Sequence, residues 1–115
     1  IMDASAKGAQ EHGGLTVGIL PDDNDSSVSE YIQIPVLTGM GSARNTINVL
    51  SSHVVVACPG GTGTVSEIAL ALKHRRRVIL LNFDVREIFS SYVKEGLLCY
   101  AETPENVIEQ IKKSL

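Results

Sequence analysis

Tryptophan is absent from this 115-residue chain, and phenylalanine and tyrosine number only two and three. So few rings leave little on which unpaired bases could stack, and a net charge of −3 argues against a general nucleic-acid or membrane surface. Neither nucleic acid nor membrane is therefore an expected partner. No window approaches about 18 uninterrupted apolar residues, so no segment is expected to span a bilayer. Cysteine is scarce as well: Cys58 and Cys99 stand apart, with neither a CxxC pair nor a histidine at ligand spacing. That signals no zinc site and no disulfide framework, so no metal is expected and both cysteines read as buried apolar thiols of a reducing compartment. His12, His53 and His74 lie apart from any cysteine, serine or carboxylate at readable spacing and read as surface or strand-end residues. No serine is framed as GxSxG. The acidic run Asp22, Asp23, Asn24, Asp25 lacks the glycine and glutamate of a calcium loop and reads as a solvated loop that could serve as a lid.

What remains is an ordinary globular composition, 43% hydrophobic and 20% charged, sufficient for one core and one domain over residues 1–115. The chain opens on a helical stretch, Met2 to Ala9, with no strand before it, as a domain incomplete at its N-terminus would. A strand is expected at Leu15 to Leu20, a polar loop at Pro21 to Ser29 and a second strand at Ile32 to Leu37. Alternation then becomes regular: helix Ala43 to Ser51, strand Val54 to Cys58, helix Thr64 to His74, strand Val78 to Leu81, helix Val85 to Lys94, strand Leu97 to Tyr100, helix Pro104 to Lys113. Thr103 suits the N-cap of the last helix, with Pro104 in its first turn. Repeated strand-helix units with continuous apolar strands imply a parallel sheet covered on both faces, a three-layer Rossmann-like α/β fold.

In such a fold ligands bind beyond the carboxyl ends of the strands. Two glycine turns fall there. Pro59-Gly60-Gly61-Thr62-Gly63-Thr64 follows the strand ending at Cys58 and opens a helix, and Gly39, Gly41 and Ser42 follow the strand ending at Leu37. Glycines let the backbone approach a ligand closely, and the amides that open a helix attract an anion, usually a phosphate. The bland alternative is a tight strand-to-helix turn with no ligand. Arg44 and Glu67 each stand in the first turn of a helix after one of these turns. Arg44 could fork onto a phosphate or carboxylate, or be a surface arginine or a partner of Glu67. Glu67 could accept from a ribose hydroxyl or position water, or serve only as the distal member of a capping box begun by Thr64. Arg75, Arg76 and Arg77 fall at the opposite edge, where cations complement a helix C-terminus. A Walker loop is excluded because no lysine follows the glycines. Gly61-Thr62-Gly63-Thr64-Val65-Ser66 approximates a dinucleotide fingerprint with Asp84 as its ribose acid, which keeps an NAD-type ligand as the weaker alternative.

The segments Gly13 to Pro21, Thr38 to Asn45 and Pro59 to Glu67 resemble the Lonely Guy and "lysine decarboxylase-like" Rossmann proteins over nearly the whole chain. Within them, Ser42-Ala43-Arg44-Asn45 and Glu67 to Lys73 are most similar to the molybdenum cofactor carrier branch. For that branch the resemblance implies a small phosphorylated ligand, the molybdenum cofactor, a phosphorylated pterin, at Gly39, Gly41, Ser42, Arg44, Pro59, Gly60, Gly61, Thr62, Gly63, Thr64 and Glu67, with no cofactor required for folding. For the phosphoribohydrolase branch it implies hydrolysis of an AMP-like nucleoside 5′-monophosphate, with Arg44 and Glu67 catalytic. Arg44-Asn45 and Ser66 stand where that branch usually has Arg-Lys and a second acid, which favours binding over turnover. The resemblance further implies a homodimer and a first strand and glycine cluster preceding the position of Ile1, while a cytoplasmic location is the default expectation for the chain. Lysine decarboxylation is not supported, because no lysine sits in a pyridoxal-binding context.

Overall fold

The computed structural model describes residues 1–115, the side chains of residues 86–88 excepted. It divides into two units, Ile1–Ile47 and Asn48–Leu115. The first begins with α1 (Met2–Glu11), which stops where Gly13 takes a left-handed φ of 77° and the Gly14 amide donates back to the Ala9 carbonyl at 2.8 Å. β1 (Val17–Leu20) and β2 (Ile34–Leu37) then pair in parallel, Val17 opposite Ile34 and Leu20 opposite Leu37. A buried threonine sets that register. The Thr16 hydroxyl donates to the Tyr31 carbonyl at 2.6 Å and accepts the Gln33 amide at 3.0 Å, while the Thr16 amide donates to Gln33 Oε1 at 2.9 Å. A one-residue slip would break all three bonds and turn every side chain over. Pro35, without an N–H, pairs opposite Gly18 and suits a position whose outer side needs no donor.

The apolar runs of these two strands do not have both faces covered, as their composition led us to expect. All four residues of β2 are exposed and Val17 is 50% exposed. An unbroken apolar run shows that a strand can be buried, but burial itself depends on neighbours the run does not specify.

The second unit meets the expectation of a layered parallel sheet. It holds the end of α2 (Arg44–Leu50) from Asn48 on, then β3 (Val54–Ala57), α3 (Thr62–Lys73), β4 (Arg77–Leu81), α4 (Arg86–Lys94), β5 (Leu98–Ala101) and α5 (Pro104–Ser114). The strands lie in the order β3-β4-β5, all parallel. β4 sits in the middle and alternates between two cores: Val78 and Leu80 join Val49, Ile68, Ala71, Leu72 and Leu98 on one face, and Ile79 joins Ala101 and Val107 on the other. Ile68, Ala71 and Leu72 share one side of α3 at helical spacing, so α3 covers the first face while α5 covers the second. Thr103 caps α5 as expected, its hydroxyl accepting the Asn106 amide at 3.1 Å behind Pro104.

α3 ends in a Schellman turn, with the Arg76 amide on the Ala71 carbonyl at 2.8 Å and the Arg75 amide on Leu72 at 3.1 Å. This places Arg75 in the left-handed region at φ 57°. The basic run therefore does follow a helix C-terminus; Arg75 pairs with Glu95 at 2.7 Å and Arg77 Nη2 lies 3.1 Å from Cys99 Sγ. Both cysteines are free but only half-buried, a correction to the buried thiols expected. Cys99 shares the Ala101 face of β5 but lies at its amino end, where its sulfur meets the Arg77 guanidinium. Among the described residues no helix is long and apolar enough to cross a membrane.

Candidate functional site

The segment after β3 turns into α3 two residues earlier than the sequence suggested, and the chemistry of the turn changes with it. The N-cap is Gly61, in an extended conformation at φ −95°, and Thr62 is the first helical residue. Thr64 thus stands in the third position of the helix and Glu67 in its second turn. The capping box proposed for Thr64 and Glu67 does not form, because its serine-or-threonine member must precede the helix. No side chain caps this end, and no acidic residue lies in the first turn. An N-cap serine or aspartate would place an oxygen on the amide two or three residues ahead; a glycine there leaves those donors uncapped at the positive end of a 12-residue helix.

The three glycines are not equivalent. A side chain at Gly60 would collide with the Thr64 hydroxyl, so close packing accounts for that glycine. A Cβ added at Gly61 or Gly63 meets nothing within 4 Å, and neither residue has a positive φ. Within the described residues, neither sterics nor backbone conformation requires glycine at these two positions. Gly63 lies inside α3, where glycine costs about 0.5–1 kcal/mol relative to alanine. Pro59, Gly60, Gly61, Thr62 and Gly63 are exposed and Thr64 is partly so.

Glu67 is half-buried, and its Oε1 accepts from Asn48 Nδ2 at 3.3 Å. Sequence spacing gave no hint of Asn48, which lies on another helix. Asp84, just past β4, accepts from the Tyr100 hydroxyl at 3.2 Å. Spacing likewise missed Asn82, which sits at the carboxyl end of β4 with a left-handed φ of 52°. A polar residue directly after an apolar strand was the only available signal.

The other glycine turn belongs to the first unit. Gly39 and Gly41 take φ of 60° and 55°, so the backbone itself calls for glycine. Their amides are already occupied: Gly39 donates to the Asp22 carbonyl and Gly41 to Pro21, each at 3.0 Å, and the Met40 amide donates to the Thr38 hydroxyl at 3.2 Å. Ser42 is exposed within the short 3-10 turn Gly41–Ala43. Arg44, at the start of α2, reaches β1, where Nη1 donates to the Ile19 carbonyl at 2.8 Å, and its buried Nε has no partner among the described residues. The acidic loop closes on itself, Asn24 Oδ1 accepting from the Ser26 amide at 3.1 Å.

The chain is similar to proteins of solved structure and to a curated relative. The molybdenum cofactor binding protein of the phototrophic bacterium Rippkaea orientalis is 49% identical with a TM-score of 0.90, over 97% of this chain and 69% of that one. The molybdenum cofactor carrier protein of Chlamydomonas reinhardtii is 43% identical with a TM-score of 0.84, over 98% of this chain and 70% of that one. An uncharacterized protein of Archaeoglobus fulgidus is 44% identical over 94% of this chain and 66% of its own length. The chain thus spans about two thirds of the length of each of these proteins. With residues 1–108 matching its family model, and with parallel sheets flanked by helices like those of the carrier structures, the chain belongs to the SLOG cluster4 family.

Proposed function

We propose that this chain binds the molybdenum cofactor, a phosphorylated pterin, as a carrier, with the ester phosphate received at the start of α3. The observation that carries this reading is the pair Gly61 and Gly63: open space surrounds the position of each absent side chain, and the backbone would accept alanine at both. Glycine at such points lets a ligand come closer to the main chain than a methyl group would allow. The amides of Thr62, Gly63 and Thr64 would donate to the phosphate, and the hydroxyls of Thr62 and Thr64 would add neutral donors. Gly60 and Pro59 shape the turn. The two relatives that carry or bind the cofactor by name, at 43% and 49% identity, support the choice of ligand. Bound, the cofactor keeps its own metal and redox chemistry for a recipient enzyme; the residues of this chain bind and shelter it. The test is anaerobic incubation with cofactor released from a molybdoenzyme, followed by gel filtration and pterin fluorescence after oxidation. Co-elution at near-equimolar pterin, lost in Gly61→Ala and Gly63→Ala, supports the reading; pterin that elutes alone overturns it.

A second reading has its own observation. Since Glu67 is released from capping duty and its carboxylate is held by Asn48, it is suited to act as a base in phosphoribohydrolysis. Water would add to the ribose carbon as its bond to the base nitrogen breaks, and that nitrogen would take the proton. Release of adenine from AMP, abolished by Glu67→Gln, supports hydrolysis and contradicts a pure carrier.

A further inference from the structure

We propose that Asn82 is the residue that distinguishes an organic phosphate from a bare phosphate at the α3 turn; the inference rests on the phosphate reading given above. β3 and β4 are adjacent and paired as far as Ala57 opposite Leu80, and two residues past that last pair stand Pro59, in the turn before α3, and Asn82, just past β4, both at the carboxyl edge of the sheet. On the side away from β3, the Asn82 amide donates to the Ala101 carbonyl of β5 at 3.1 Å, which ties the Asn82 backbone to the carboxyl edge of the sheet. Neighbouring strands lie about 4.8 Å apart, so a side chain here stands one strand away from the anion site. Asn82 is exposed, and among the described residues nothing bonds its side-chain amide.

Its backbone explains only part of the choice of residue. At φ 52° glycine is the least strained residue and asparagine the most tolerant side chain, so the conformation would be met by glycine without the amide. What asparagine adds is an NH2 donor and a carbonyl acceptor on a short arm. Both ligand classes under consideration carry their phosphate on a CH2–O arm of an oxygen-containing ring, a pyran in the cofactor and a ribose in AMP. The ring's heteroatoms begin one carbon beyond the phosphate ester. A donor and acceptor one strand from the anion would engage those heteroatoms and leave the phosphate to α3.

The test uses Asn82→Gly, which keeps the left-handed backbone, and compares the affinities of inorganic phosphate, AMP and the released cofactor by calorimetry. We expect the variant to melt no lower than wild type and to bind inorganic phosphate within twofold of wild type. It should lose at least tenfold in affinity for whichever ring-bearing ligand the wild type prefers. Asn82→Asp, which keeps the acceptor and loses the donors, should fail to restore that affinity. Equal affinity of Asn82→Gly and wild type for the ring-bearing ligand would reduce Asn82 to a backbone role and overturn the inference. A wild type that binds neither phosphate nor any ring-bearing ligand would overturn the phosphate reading itself, and this inference with it.

Discussion

Gly63→Ala separates what the fold needs at the α3 turn from what a ligand needs. The residue lies inside α3, its φ is not positive, and an added Cβ meets nothing within 4 Å. Alanine should therefore stabilise the free protein. The full helix-interior difference is about 1 kcal/mol, and a first-turn position should yield roughly 0.5–1 kcal/mol. At about 4–8 °C per kcal/mol for a unit of this size, the free variant should melt about 2–8 °C higher. The same methyl group would occupy space given to the phosphate, and a tenfold loss of affinity corresponds to about 1.4 kcal/mol. At a ligand concentration of about 100 times the wild-type Kd, binding stabilises wild type by about 2.7 kcal/mol and the weakened variant by only about 1.4 kcal/mol. Adding back the intrinsic gain leaves the variant at roughly 1.9–2.4 kcal/mol, below wild type. The two melting curves should thus change order: the variant higher without ligand, wild type higher with it. Differential scanning calorimetry at both conditions reads this directly. A variant that is stabilised and still binds with unchanged affinity would refute the reasoning, because the glycine would then serve neither fold nor ligand.

Other parts of the structure yield simpler expectations. Thr103→Ala removes the α5 cap and should lower unfolding free energy by about 1 kcal/mol in urea titrations. Thr16→Val leaves the Tyr31 carbonyl without its hydroxyl donor, while the Gln33 amide keeps the Thr16 carbonyl at 3.2 Å, and should cost about 1–3 kcal/mol in the same assay because the site is buried. Arg75→Gly relieves a left-handed arginine while losing only an exposed ion pair to Glu95, so the melting temperature should hold or rise. The charge of Glu30 beside the Tyr31 phenol, followed by partial desolvation, holds its pKa above the ordinary 10.0. The fold therefore favours the protonated phenol: any stability this contributes is complete below about pH 10 and is lost as pH rises through the folded-state pKa. Ultraviolet titration should show one tyrosinate appearing late in wild type and earlier in Glu30→Gln.

The element sequence was legible because each strand is an uninterrupted apolar run and each helix is bounded by a turn signal, as at Gly13-Gly14 before β1 and Thr103-Pro104 before α5. Periodicity could not set where α3 begins. Threonine and glycine both serve as N-caps, and the pattern pointed to Thr64 where packing of the turn selected Gly61. That difference decides whether Glu67 is a capping residue. The exposure of β2 was equally hidden, since the run Ile34 to Leu37 reads the same whether covered or bare. Two glycine turns that looked alike in sequence also differ in kind: Gly39 and Gly41 are required by positive φ and spend their amides internally, whereas Gly61 and Gly63 are not so required. Hydrogen-bond partners such as Asn48 for Glu67 come from tertiary placement, which spacing within one helix does not encode.

The most direct measurement is an amide-resolved NMR titration of the 15N-labelled chain with the released cofactor and, separately, with inorganic phosphate. Both should shift the amides of Gly61, Thr62, Gly63 and Thr64 most strongly, leaving those of Gly39 and Gly41 nearly still. Saturable binding whose largest shifts fall elsewhere, with the α3 amides unmoved, would contradict the assignment of the site.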